Sequence, residues 1–86
     1  MPRVILPPAL RQRAAGNGLV EVDGDTPGRV LHGLESAYPE LRGWVLDERG
    51  LVRTHVRLFI NGVAASLESP VGPQDELHVI TAISGG

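Results

Sequence analysis

The chain closes on Gly85-Gly86, directly after the run Ile80-Thr81-Ala82-Ile83-Ser84. Two terminal glycines add nothing to a core, and their backbone freedom opposes any fixed conformation. Their chemical use is reach: lacking Cβ atoms, they can thread the Gly86 carboxylate through a narrow slot into another protein's active site. A carboxylate is a poor electrophile until it is activated, so such a tail depends on machinery elsewhere. No rival chemistry stands out along the chain. His32, His55 and His78 are spread over a predicted helix and two predicted strands, with no close metal-ligand pair among them. Asp23 and Asp25 flank Gly24 just ahead of a helix start, where carboxylates complement the helix dipole. Gly16-Asn17-Gly18 has neither the lysine nor the spacing of a phosphate-binding loop.

Composition removes whole classes of function. The chain has 86 residues and no cysteine, which excludes a disulfide scaffold, an iron–sulfur site, a thiolate zinc site and a cysteine nucleophile together. All eight basic residues are arginines, so a Schiff-base lysine and a lysine acceptor for conjugation are excluded as well. The net charge of −2 offers no broad basic field for nucleic acid or an anionic membrane. The most apolar opening stretch, residues 4–10, is short and broken by Pro7-Pro8, so neither a membrane span nor a secretory signal is expected. A cytoplasmic protein with no bound cofactor or metal is the expectation.

The elements that would position the tail follow from hydrophobic period and turn chemistry. A first strand is predicted over 3–6, ended by Pro7-Pro8, and residues 9–17 are expected to form an irregular arginine-rich connection. Val20 and Val22 alternate with Glu21 and Asp23, which predicts a half-buried second strand and an antiparallel hairpin. Thr26 caps and Pro27 opens a helix over 27–38, whose apolar stripe is Val30, Leu31, Leu34, Ala37 and Tyr38. Gly28 and Gly33 weaken it by propensity. Leu41, Trp44, Val45 and Leu46 are expected to form a short turn laying Trp44 over the core edge. Strands are predicted at 55–60 and 63–65, joined by Asn61-Gly62, and at 76–81 with Leu77 and Val79 inward and His78 and Ile80 outward. The helix stripe should pack against Val4, Leu6, Val20, Val56, Leu58 and Val79.

This order of elements, feeding straight into a terminal Gly-Gly, resembles the MoaD/ThiS family of ubiquitin-like sulfur carriers over nearly the whole chain. The matching segments are Leu10-Arg11, Asp25-Thr26, Tyr38-Pro39, Val56-Arg57-Leu58-Phe59-Ile60-Asn61-Gly62, Ser69-Pro70-Val71, Asp75-Glu76-Leu77 and Ala82-Ile83-Ser84-Gly85-Gly86. The resemblance implies an α+β β-grasp domain over 1–81, a mixed sheet with one helix packed across it, and a flexible tail over 82–86. It implies that a MoeB/ThiF-like enzyme adenylates Gly86 with ATP and that the tail becomes a thiocarboxylate. Sulfur then passes to a synthase: the molybdopterin synthase large subunit, a thiazole synthase or a cysteine synthase. Gly85 would give access to the site, while Ile80, Pro7, His78, Arg11, Ile83 and Ser84 would meet partners. Gln74 stands where the family commonly has glycine, and Thr81 where many members have proline.

The branch served stays open. Residues 61–77 look most like molybdopterin-synthase small subunits, whereas Pro7-Pro8-Ala9-Leu10-Arg11 and the segment through Tyr38 look more like carriers for cysteine synthesis. Two further readings stand beside the carrier: a ubiquitin-like modifier joined through Gly86 to lysines of other proteins, and a β-grasp interaction module without tail chemistry.

Overall fold

The computed structural model describes residues 1–81. Five strands, β1 (Arg3–Ile5), β2 (Leu19–Glu21), β3 (Val56–Ile60), β4 (Val63–Ala65) and β5 (Glu76–Thr81), form one sheet in the order β2-β1-β5-β3-β4. β1 and β5 are parallel and every other neighbouring pair is antiparallel, so the sheet is mixed. Helix α2 (Pro27–Ala37) packs on one face, and the fold is the expected β-grasp. Thr26 caps α2 by accepting a hydrogen bond from the Arg29 N–H, and Pro27 fills the first turn, where no N–H is needed.

Val4, Leu77, Val30, Leu31 and Leu34 are essentially inaccessible, joined by Leu6, Val56, Leu58 and Val79. Tyr38 and Val20 are only partly buried against this core. Tyr38 keeps its hydroxyl at the surface, where it accepts from Asn17 Nδ2 at 3.2 Å. The two helix glycines have a packing role that propensity does not register. A Cβ on Gly33 would stand 2.9 Å from Val22 Cγ1, and one on Gly28 would stand 3.2 Å from the Leu67 carbonyl oxygen. Their bareness lets α2 lie close on its neighbours.

Two expectations are corrected. The connection after β1 is ordered: α1 (Pro8–Arg11) runs into a 3₁₀ turn at Gln12–Ala14, burying Leu10 and Ala14. Pro8 sits in its first turn, so the proline pair that ends the strand also starts the helix. After the 3₁₀ turn Pro39–Leu41, the chain buries Leu41, Val45 and Leu46 but leaves Trp44 43% exposed. Trp44 does not cover the core edge; it carries the Arg13 guanidinium 3.8 Å above its ring.

Asn61 and Gly62 take positive φ values of 50° and 86° in the β3–β4 turn. Asn61 also clamps the start of β5, accepting from the Glu76 N–H and donating to Asp75 Oδ1, both at 2.9 Å. The Gly72 N–H and the Asn61 amide hold the Asp75 carboxyl below its ordinary value of 3.8. A lowered folded-state value stabilises above the unfolded value, and that contribution is lost as pH falls through the folded one. The melting temperature of the wild type should therefore exceed that of Asp75→Asn at neutral pH. Thermal melts in acid should show the gap closing as pH drops below 3.8.

Candidate functional site

Residues 82–86 follow β5, so the expected tail and its named residues Ile83, Ser84, Gly85 and Gly86 lie outside the described residues. The element preceding them is a central strand, hydrogen-bonded to β1 on one side and β3 on the other, with Thr81 opposite Val56. Alternation along β5 is as read from the sequence. Leu77 and Val79 are buried, His78 is half-buried, and Ile80 is 45% exposed on the outer face.

The register extends that outer face into a surface. Leu19, Ile5, His78, Phe59 and Ala64 form one row across all five strands, and Ile80 and Arg57 pair in the next. Pro7 stands two residues beyond Ile5, just as Ile80 stands two beyond His78, its cross-strand neighbour. Ile80, His78 and Pro7 therefore gather at one end of one face. His78 is engaged within the chain, with Nε2 3.3 Å from Glu76 Oε1, and Glu76 also meets Arg3 at 3.4 Å. Arg11 lies at the same end: its Nε donates to the Leu6 carbonyl at 3.2 Å, and its guanidinium covers Gly18, whose Cβ would fall 2.9 Å from that nitrogen. Arg11 thus fastens the β1–α1 junction with one donor and leaves its other donors exposed. Ile5, Leu19 and Phe59 were missed as members of this surface. Period-2 alternation carried the signal, but the register that aligns them does not exist in the sequence.

The other candidates stay apart. Asp25 is ion-paired with Arg29 at 3.2 Å, and Gly24 (φ 145°) turns the chain so tightly that a Cβ would meet Val30. The Asp23-Gly24-Asp25 segment borders an open concavity of about 510 Å³ with Met1, Pro2 and Val71, at the end of the sheet away from Ile80. Among the described residues, no group of three or more His, Asp or Glu side chains is placed to hold a metal ion. No helix among them is long and apolar enough to cross a membrane.

No family model matches the chain. Small archaeal modifier protein 1 of Haloferax volcanii is 38% identical over 68 residues, covering 78% of both chains. The sulfur carrier protein CysO of Mycobacterium tuberculosis is 26% identical over 89 residues, covering 96% of both. A chain of the Amycolatopsis orientalis BexX/CysO complex superposes with a TM-score of 0.90 at 23% identity and full coverage of each chain, which supports the fold. With the β-grasp sheet, its helix and these likenesses in place, the chain belongs to the family of ubiquitin-like sulfur carriers and small modifiers of the MoaD/ThiS type.

Proposed function

We propose that this chain is a sulfur carrier whose Gly86 is adenylated by a MoeB/ThiF-like partner and converted to a thiocarboxylate for cofactor or cysteine biosynthesis. The observation that carries the reading is the Gly85-Gly86 terminus following the central strand of a β-grasp sheet in a chain of this family. The steps balance on residues the chain has. The Gly86 carboxylate attacks the α-phosphate of ATP and pyrophosphate leaves. Sulfide delivered by the partner then attacks the acyl carbon, the acyl–phosphate bond breaks and AMP leaves with the oxygen, and the sulfur stays on Gly86 as a thiocarboxylate. No side chain of the carrier needs to react, which agrees with its lack of cysteine. ATP is used by the partner; the carrier supplies only an acyl group. A synthase is the acceptor: molybdopterin synthase large subunit, thiazole synthase or cysteine synthase. A related carrier's presence in the BexX/CysO complex supports action through partners.

The test incubates the purified chain with its adenylating enzyme, ATP and a sulfur source, and looks for one oxygen-to-sulfur exchange in the C-terminal peptide. A second reading, attachment through Gly86 to lysines of other proteins, is favoured by the likeness to a protein named as a modifier. The chain itself offers no lysine for such attachment, so chains of it built through its own side chains are excluded.

Docking of the activating enzyme is assigned to the Ile80, Pro7 and His78 end of the outer sheet face. Placing a charge on a desolvated apolar patch costs on the order of 1–3 kcal/mol, so Ile80→Asp should raise the KM for adenylation about tenfold or more. An unchanged KM, measured by pyrophosphate exchange, would put the docking face elsewhere.

A further inference from the structure

The net charge of −2 conceals a polarity that appears only when the strands are in register. At one end of the sheet Arg3 stands beside Glu21 and Glu76, with Asp75 preceding β5, and Asp23, Asp25 and Arg29 close the same end. Both arginines there are ion-paired, Arg3 with Glu76 and Arg29 with Asp25. The other end is where β5 finishes at Thr81, opposite Val56. His55 directly precedes Val56, and Arg57 pairs with Ile80 on the outer face. His55 and Arg53 share a concavity of about 270 Å³ with Trp44, and Trp44 carries Arg13 on its ring. Arg11 reaches back to the carbonyl that follows β1. Among the described residues, Arg11, Arg13, Arg53 and Arg57 have no carboxylate within ion-pair distance. Arg42, also at this end, is offset by Glu35, whose carboxyl it stabilises in the charged form against burial.

The two ends act independently in solution. From Glu76 to Thr81 is roughly 16 Å at ordinary strand rise, about twice the Debye length of roughly 8 Å at physiological ionic strength. A partner approaching Thr81 therefore meets the arginines ahead of the acidic far end; the carboxylates that share a concavity with Arg53 are Glu35, Asp47 and Glu48, of which Asp47 is already paired with Arg49. Several of these cations are held in place: Arg13 by the Trp44 ring, Arg53 by the Gly43 carbonyl, and Arg57 by the Thr54 and Val56 carbonyls at 2.7 and 3.1 Å. Pre-positioned guanidinium groups lose little side-chain entropy on pairing with carboxylates, and Arg and Trp are the residue types that dominate binding energy at interfaces.

We infer that Arg11, Arg13, Arg53, His55 and Arg57, gathered around Thr81, form a docking surface for an acidic protein surface bordering the site where Gly86 reacts. This rests on the reading of Gly86 given above, and it adds an electrostatic contact to the apolar one at Ile80. An acidic protein is favoured over nucleic acid because Trp44, the one aromatic side chain exposed among the described residues, already carries Arg13 on its ring, so there is no row of aromatic platforms for successive bases to stack on.

Two measurements separate this surface from the tail chemistry. In the first, a ten-residue Glu/Asp peptide is titrated into isotope-labelled full-length chain, with a single-stranded oligonucleotide of equal charge in a parallel series. The largest amide shifts with the peptide should fall at residues 11–14, 43–44 and 53–57, and should vanish in 0.5 M salt. Shifts that are evenly spread, shifts centred on residues 21–29, or tighter binding of the oligonucleotide would overturn the inference. In the second, kcat/KM for adenylation is measured with the chain's own activating enzyme. Raising salt from 0.05 to 0.5 M should lower it about tenfold, and Arg13→Glu with Arg57→Glu should lower it by at least as much. Arg29→Glu, at the far end, should leave it unchanged. If the reversals have no effect while removal of Gly86 abolishes adenylation, the surface is wrong and the tail reading stands. If removal of Gly86 has no effect, the tail reading falls and the peptide titration alone decides the surface. The amide spectrum of each variant reports that it is folded.

Discussion

Deletion of Gly86 is expected to abolish thiocarboxylate formation completely while leaving the melting temperature unchanged. The two halves of this result have separate physical causes. Among the described residues the buried hydrophobic core runs from Val4 to Val79, and a terminal glycine has no side chain to pack, so its loss removes no side-chain packing. On the proposed reading the attacking atom, in contrast, is a carboxylate oxygen of Gly86, and an enzyme that adenylates it must align that oxygen for in-line attack on the α-phosphate. Shortening the tail by one residue withdraws that carboxylate by roughly 3.5 Å, and misplacement of about 1 Å already costs on the order of a hundredfold in rate. Capping the tail with one added residue should be equally inactivating, because the carboxylate then overshoots. Gly85→Trp should retain the carboxylate and fail in the partner's channel, raising KM and lowering kcat together. Mass spectrometry of the C-terminal peptide reads all three. Adducts on lysines of other proteins, lost with Gly86 and formed without any thiocarboxylate, would favour the modifier reading. Unaltered chemistry after deletion would remove both.

What could be read in advance was whatever depends on neighbours in sequence. Thr26-Pro27 and the apolar stripe specify a helix and its buried face locally; the structure buries Val30, Leu31 and Leu34 as expected, but the helix ends at Ala37, which is exposed, and Tyr38 is only partly buried at its C-cap. Alternation from Glu76 to Thr81 likewise separates Leu77 and Val79 from His78 and Ile80. Pro7-Pro8 misled because one residue type has two positional meanings: proline ends a strand and also opens a helix, and here it does both within a single step of chain. Trp44 is expected over the core edge, whereas the turn after Pro39 gives the inward positions to Leu41, Val45 and Leu46. The charged ends were invisible for a deeper reason. Arg57 is set beside Ile80 by the antiparallel β3–β5 pairing, Arg13 and Arg53 meet only through Trp44, and neither arrangement is encoded near the residues it brings together.

Leu34→Ala should test the fold as sharply as Gly86 tests the chemistry. Leu34 is 1% exposed on the inner stripe of α2, within the core that Leu31, Val4 and Leu77 share. Truncating a buried leucine removes its transfer free energy and leaves a cavity, for about 2–5 kcal/mol. Against a typical domain stability of about 5–15 kcal/mol, that is a large fraction, equivalent to roughly 10–30 °C in melting temperature for a domain of this size. Below its own transition the variant should still accept sulfur on Gly86, so the loss is one of stability and not of chemistry. Gly33→Ala, one residue away on the same helix, gives the sharper discrimination. Helix propensity alone predicts a gain of about 1 kcal/mol. The added Cβ would stand 2.9 Å from Val22 Cγ1, and Val22 is buried and β-branched, so it has few rotamers into which it can retreat. The overlap should win, and urea titration should show Gly33→Ala less stable than the wild type. A stabilised Gly33→Ala would mean that α2 does not press on the β2 end as closely as the structure has it. The close approach of helix to sheet that makes this a β-grasp would then need another cause than the glycine.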